Sequence, residues 1–374
     1  MTGTDLTRGA RLAAHGALST RLARLGDDDL RALVDTAVPL GTGIGGKSSL
    51  SDVDGTPVFV KRVPLTDRER RPEHTRSTAN VFGLPAFCHY GLGGPGFGAW
   101  RELAVHTMTT DWVLAGDHEG FPLMYHWRVL PDSTPLPEEL ADVERTVAFW
   151  GGGAQVRDRI EGLRDSSASV ALFLEYIPRT LHAWLGERMD AGDEAANRAC
   201  AWVERSLAAG ISFMNARGLL HFDAHFENIL TDGRRLYFAD YGLALSSRFA
   251  PARDEADFFR RHRGYDRAYS VAYLVNWLVT DAYGYGREER EARVRAYAGG
   301  ERPTGMPEAA AALVARHAPL TAVMADFFRA LRTGSRETPY PVEAIRDAER
   351  AGRAGRRRAP EDRSRAPEDR SGPA

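Results

Sequence analysis

Residues 38–63 constrain the fold of this chain more than any other stretch, because short β-prone runs alternate there with two tight turns. The first turn is Gly41-Thr42-Gly43-Ile44-Gly45-Gly46. The second is the hairpin dipeptide Asp54-Gly55. The run Pro57-Val58-Phe59-Val60-Lys61-Arg62-Val63 alternates and is rich in β-branched residues. Strands joined this closely pair antiparallel, since a parallel pair needs a crossover of a dozen or more residues.

Two more strands are expected at 121–130 and 170–176. Helical periodicity covers 1–35 and about 100–114, and beyond Pro178 it dominates: 194–217, 268–283, 287–298, 307–332 and 342–352. The fold class is therefore α+β. The expected organisation is an N-terminal helical extension (1–35), a strand-rich unit (36–175), a helix-rich unit (176–350) and a tail (351–374). The tail repeats Arg-Ala-Pro-Glu-Asp-Arg-Ser at 358–364 and 365–371, and is expected to be disordered.

Composition narrows the function classes. In 374 residues, 49 basic and 51 acidic side chains leave a net charge of −2, so no global field draws the chain to nucleic acid or an anionic membrane. No apolar run reaches the ~18 residues of a membrane span. The first 26 residues contain Asp5 as the one acid and read as a surface helix rather than a transit peptide. Two cysteines, Cys88 and Cys200, make neither a disulfide framework nor a Cys-rich metal site, and the expected location is cytoplasmic. Lysine occurs only at Lys47 and Lys61, every other basic residue being Arg. In so Arg-biased a chain, a retained Lys marks a place where a slim point charge serves better than a broad planar fork.

Both lysines lie in the meander. Gly41 to Ser48 satisfies G-x-x-x-x-G-K-S and G-x-G-x-x-G together. Each pattern uses glycine so that backbone N–H groups can approach phosphate oxygens. A Walker loop or a Rossmann turn must open a helix, and Ser48 to Gly55 has no helical period. A phosphate-covering loop between antiparallel strands remains, beside a purely structural glycine turn. Lys61 ends an apolar strand run fifteen residues past Gly46.

Farther on, His221-Phe222-Asp223-Ala224-His225-Phe226-Glu227-Asn228 carries H-x-D-x-x-x-x-N. Asp240-Tyr241-Gly242 begins twelve residues after Asn228. Asp223 is placed to take or orient the proton of an attacking hydroxyl. Asn228 and Asp240 offer hard oxygen ligands for Mg²⁺. A zinc site from His221, His225 and Asp223 would lack a fourth ligand and leave Asn228 and Asp240 unexplained.

These four motifs, in this order over 38–280, resemble the protein-kinase-like superfamily, which includes protein kinases and aminoglycoside or choline phosphotransferases. The resemblance implies a bilobal fold, with a β-rich N-lobe, a helical C-lobe and ATP between them. It also implies that Gly41, Gly43 and Gly46 cover the phosphates, that Lys61 holds them, that Asp223 is the catalytic base and that Asn228 and Asp240 hold Mg²⁺. Phe173-Leu174-Glu175-Tyr176-Ile177 resembles the hinge, where backbone groups of Glu175 and Ile177 would meet adenine.

The carboxylate expected to pair with Lys61 is Glu102, although 41 residues is a long gap; Glu69 and Glu73 are the alternatives. Phe222 stands where protein kinases carry Arg, and no Ala-Pro-Glu segment lies between Gly242 and Asp266. His225 looks more like the small-molecule phosphotransferases. Tyr265-Asp266 before an apolar helix looks more like the protein kinases.

Trp100, Trp112, Trp127 and Trp150 are expected in the core. Arg260-Arg261-His262-Arg263 is expected to be a solvated face or a docking site for an acidic substrate, and Arg356-Arg357-Arg358 leads into the repeat. The expected activity is transfer of the ATP γ-phosphate to a hydroxyl, on Ser/Thr of a protein or peptide. The alternatives are a small-molecule kinase and a non-catalytic nucleotide-binding module.

Overall fold

The computed structural model describes residues 7–133 and 135–358, the last six as backbone only. The chain opens with helices α1 (Arg8–Ala23) and α2 (Asp27–Asp35). The meander follows as β1 (Val38–Gly43), β2 (Gly46–Val53) and β3 (Thr56–Leu65), and then come α3 (Asp67–Arg70) and α4 (Ala99–Ala115). Next are β4 (Met124–Pro131), α5 (Glu138–Ala141), α6 (Val143–Phe149), α7 (Ala154–Arg164), β5 (Ala168–Glu175), β6 (Arg179–Thr180), α8 (Leu181–Asp190) and α9 (Asp193–Ala216). Four short strands, β7 (Leu219–Leu220), β8 (Ile229–Thr231), β9 (Leu236–Phe238) and β10 (Leu245–Ser246), precede α10 (Arg253–Arg261), α11 (Tyr265–Tyr283), α12 (Arg287–Ala298), α13 (Glu308–Thr333) and α14 (Val342–Arg358).

The fold is α+β. Its five-stranded sheet has the order β1-β2-β3-β5-β4, and every pairing in it is antiparallel. Because strand side chains alternate faces, the sheet separates two packing layers. Val58, Val60, Ala171 and Phe173 face one way, in one core with Leu18 and Leu22 of α1 and Leu30 and Val34 of α2. Val63, Leu65, Val170, Leu172 and Leu174 face the other, against Trp100 and Leu103 of α4. Lys61 pairs in register with Leu172, so it lies on the α4 face. The residues expected as a separate helical extension thus share the sheet's own core.

Several expectations shift. The strand expected from 121 begins at Met124, where the pairing with β5 slips at a bulge. Helices α3, α5 to α8 and α10 form outside the stretches of helical period. α5 to α7 form a satellite core in which Leu140, Val147, Trp150, Val156 and Ile160 meet Phe82, Leu84 and Phe97 of the long loop before α4. The tail does not begin at 351: α14 continues to Arg358 through a run of Ala, Arg and Gly in which the strong helix formers prevail. Residues 359–374, with most of the repeat, and residues 1–6, with Asp5, lie outside the described residues. No described helix is long and apolar enough to cross a membrane.

Candidate active site

The sheet ends against the helical half in a cavity of about 500 Å³, within the usual range for a small-molecule site. Its walls include Gly41 and Gly43 of β1, Gly46 at the start of β2, Lys61 of β3, Glu175 at the end of β5, Ile177 just beyond it, and Asn228 and Asp240 from the short-strand region. A second cavity of about 390 Å³ continues past Asn228 and Asp240 to Asp223, His225 and Tyr269.

Lys61 is the centre of the charge arrangement. Its Nζ lies 2.7 Å from Glu102 Oε1 and 2.8 Å from Asp240 Oδ1. Lys61 and Glu102 are 7% and 1% exposed, whereas the Asp240 side chain is 41% open. The partner of Lys61 is therefore Glu102. Glu69 is committed elsewhere: it caps α3 through Thr66, accepts the Ala99 N–H at the start of α4 (2.9 Å) and pairs with Arg159 (2.9 Å). Glu73 is exposed in a 3₁₀ turn.

Burial lowers the Lys61 pKa, but Asp240 and Glu102 outweigh it and hold the ammonium above its ordinary value. Burial, with Asp240 adding and Lys61 opposing, pushes Glu102 up to about 7. Burial also pushes Asp240 up, but the charge and hydrogen bond of Lys61 win and hold it at about 2. His106, one helical turn past Glu102, is driven by burial and by Lys61 down to about 3 and stays neutral. Such opposed shifts around one cavity mark a functional site more often than a purely structural one.

The Asp223 loop is built from the backbone outward. Asp266, fully buried at the start of α11, accepts the N–H groups of His221 (2.8 Å) and Phe222 (2.9 Å). That grip holds Phe222 at a φ of 63°, a left-handed conformation costly for a bulky residue. His221 Nε2–H donates to the Ala239 carbonyl (3.0 Å), and its Nδ1 accepts the Asp223 N–H (3.3 Å). Both ring nitrogens of His221 are thus spent, and burial lowers its pKa to about 4. A zinc site through His221 is excluded by this use of the ring. Asn228 Nδ2 donates to the Asp223 carbonyl (3.0 Å) and to Asp223 Oδ2 (3.2 Å), leaving its amide oxygen for a cation. Burial pushes Asp223 up to about 6, with His225, 3.8 Å from Oδ2, opposing. Asp240 also holds a φ of 62°.

Two glycines that the motif reading passed over bear on the site. A Cβ on Gly45 would sit 3.1 Å from Lys61 Nζ, and one on Gly91 would sit 2.5 Å from Asp223 Oδ1. Gly46 has a different reason to be glycine: its φ is 114°, and a Cβ there would come within 2.0 Å of the Arg62 carbonyl. β2 begins at Gly46, so no helix follows Lys47, and a Walker arrangement is ruled out. Lys47 pairs instead with Asp132 at 3.5 Å.

The segment around Gly91 crosses over Asp223 and is pinned on both sides. His89 stacks on Phe97 (3.7 Å between ring centroids) and bonds the Leu243 carbonyl (2.8 Å). Tyr90 bonds His262 (2.6 Å), and Arg101 forks onto Glu255 (2.7 and 3.1 Å). The segment 83–98 is rich in Gly and Pro, but nothing in its sequence places it over Asp223.

The remaining sequence features are mostly structural. Trp100, Trp112 and Trp150 are buried, and half-buried Trp127 meets Trp100 edge to face. The 260–263 run is no uniform basic face: His262 is buried against Phe258 and Tyr340, and Arg260 pairs with Asp257. The side chains of 356–358 are outside the described set.

Among the described residues, no group of three or more His, Cys, Asp and Glu side chains is arranged to hold a metal. Asp240 and Asn228 form a two-oxygen set that would need phosphate and water oxygens to complete it. Asp223 and Asp240 both line the second cavity, and two carboxylates brought together there suit a divalent cation. No protein-family model matches the chain, and no curated protein matches it.

Proposed function

We propose that this chain is an ATP-dependent phosphotransferase with a bilobal, protein-kinase-like build and the nucleotide in the larger cavity. The observation that carries the reading is the convergence of side chains from separate elements: Asn228 and Asp240 line both cavities, Lys61 the larger and Asp223 the smaller, with Glu102 buried behind Lys61. In this reading Leu174, Tyr176 and Ile177 edge the adenine, and the bare backbone of Gly41, Gly43 and Gly45 lets the phosphates come close to Lys61. Glu102 fixes the ammonium, which meets the charge of the α- and β-phosphates. Asn228 and Asp240 would hold Mg²⁺, which when bound neutralises charge on the transferring phosphoryl group. Asp223, oriented by Asn228, accepts the proton of the acceptor hydroxyl as its oxygen attacks in line. The chain supplies positioning and charge, the two contributions that phosphoryl transfer requires.

The acceptor has two readings. A Ser/Thr hydroxyl on a protein or peptide is the one expected from sequence. A small-molecule alcohol is favoured by the close approach of Gly91 to Asp223, where a Cβ would sit 2.5 Å from Oδ1, and by the size of the cavity beside it, about 390 Å³. The test is label from γ-³²P-ATP with Mg²⁺, offered to generic basic proteins and to a panel of small alcohols including aminoglycosides. Label on protein supports the first reading and label on a small molecule the second. Failure to bind ATP with Mg²⁺ would overturn both.

A further inference from the structure

The N-terminal helices have no role in the reaction just described, yet one residue of α1 reaches the wall of the nucleotide cavity from behind. Arg11 is 2% exposed. Its Nε and Nη2 fork onto Glu175 Oε1 and Oε2, each at 2.8 Å. The remaining donors reach the carbonyls of Glu119 (2.9 Å) and Phe121 (2.6 Å), and the guanidinium lies 5.1 Å from the Tyr237 ring centroid.

Glu175 is the last residue of β5. Strand alternation points its carboxylate away from Leu174 and the cavity, toward α1, while its backbone edges the cavity. The same carboxylate accepts the Leu123 N–H (3.0 Å), and the Glu175 N–H donates to Leu123 O (2.8 Å). Tyr237 lies in β9, three residues before Asp240, and neighbouring Phe238 donates its N–H to Gly120 O (3.0 Å). Arg11 therefore touches the chain on both sides of the cavity: the strand end beside the expected adenine edge, and the strand leading to Asp240.

We propose that α1 is part of the nucleotide site, with Arg11 as a positioning residue that keeps the 174–177 segment in register with β9 and Asp240. The proposal rests on the nucleotide reading above. Arg is suited to this because one planar fork meets a carboxylate bidentately and still has donors for two carbonyls; Lys has the charge without the fork.

The experiment uses the full chain as wild type, Arg11→Lys and Arg11→Ala, with Arg21→Ala as a control on the exposed side of α1, where Arg21 pairs with exposed Asp54. Two quantities are read: the Kd for ATP with Mg²⁺, and amide hydrogen exchange along the chain. In Arg11→Lys, the Kd is expected to rise about tenfold and exchange to quicken about tenfold at 174–177 and 237–240. Exchange in α11 and α13 should stay unchanged, and Arg21→Ala should match wild type. If Arg11→Ala does not fold, Arg11→Lys decides. Unchanged Kd and exchange in Arg11→Lys would overturn the proposal, as would exchange that quickens equally everywhere. An intact chain that binds no ATP overturns the nucleotide reading and this proposal with it. A failed latch looks different, because wild type and variants then bind ATP equally.

Discussion

Arg11 with Glu175 and Lys61 with Glu102 are both buried cation–carboxylate pairs, and they are finished in opposite ways. Arg11 has partners for its fork and for two further donors, and both oxygens of Glu175 are taken by Arg11, with Leu123 N–H added. Lys61 is shared between Glu102 and a half-open Asp240, with Asp223 beyond. A buried charge pair is costly to desolvate and is tolerated when every donor and acceptor is met. The first pair meets that condition and holds elements together. The second leaves a carboxylate facing a cavity, an arrangement suited to a cation rather than to packing.

That contrast yields predictions in descending size. Breaking the saturated pair should cost most in stability: Glu175→Ala strands a buried guanidinium and is expected to lose about 3–5 kcal/mol, read from denaturant unfolding. A loss under about 1 kcal/mol would show that the pair is not saturated as described. Lys61→Ala should reduce kcat/KM for ATP by about 10²–10³, with a smaller change in unfolding free energy than Glu175→Ala. The reverse ranking of the two variants would erase the distinction between the pairs.

Gly91→Ala should lower transfer by up to about 10² while ATP affinity stays within about twofold, because the added methyl displaces Asp223 and not the nucleotide walls. Equal losses in both would place the 91 segment on the nucleotide instead. The pH profile gives a gentler test. Asp223 must be ionised to accept a proton, and its pKa is raised to about 6, so transfer should fall as pH drops through that value. Asp240, held at about 2, stays charged across the window. Glu102 titrates near 7, so Glu102→Gln should remove its step and leave the one near 6. An acid limb that stays at 7 in that variant would assign the proton elsewhere. Lys47→Ala, which breaks a partly exposed pair with Asp132, should cost at most about 1 kcal/mol and leave transfer unchanged.

The meander was readable because turn chemistry and β-branching are local properties, and the two glycine turns stand where the residues 38–63 indicate. The nearness of Asp223, Asn228 and Asp240 was readable from spacing, since they sit in short loops beside short strands, whereas Lys61, in the middle of β3, was joined to them by the family resemblance. What escaped depends on contacts distant in sequence. α5 to α7 bury their apolar residues against the 82–97 loop rather than the main core, so their short amphipathic runs look unremarkable among Pro and Gly. Gly45 and Gly91 matter through Lys61 Nζ and Asp223 Oδ1, neighbours no local pattern names. The direction of the Glu175 side chain follows from strand register, and its partner lies 164 residues away in α1.

The most direct test compares wild type with Asp223→Asn in two assays at once: ATP binding by calorimetry with Mg²⁺, and transfer or release of the γ-phosphate label. Binding is expected to stay within about twofold while label movement falls by about 10²–10⁴. Binding that collapses while slow turnover survives would contradict it, and would move the proton-accepting role away from Asp223.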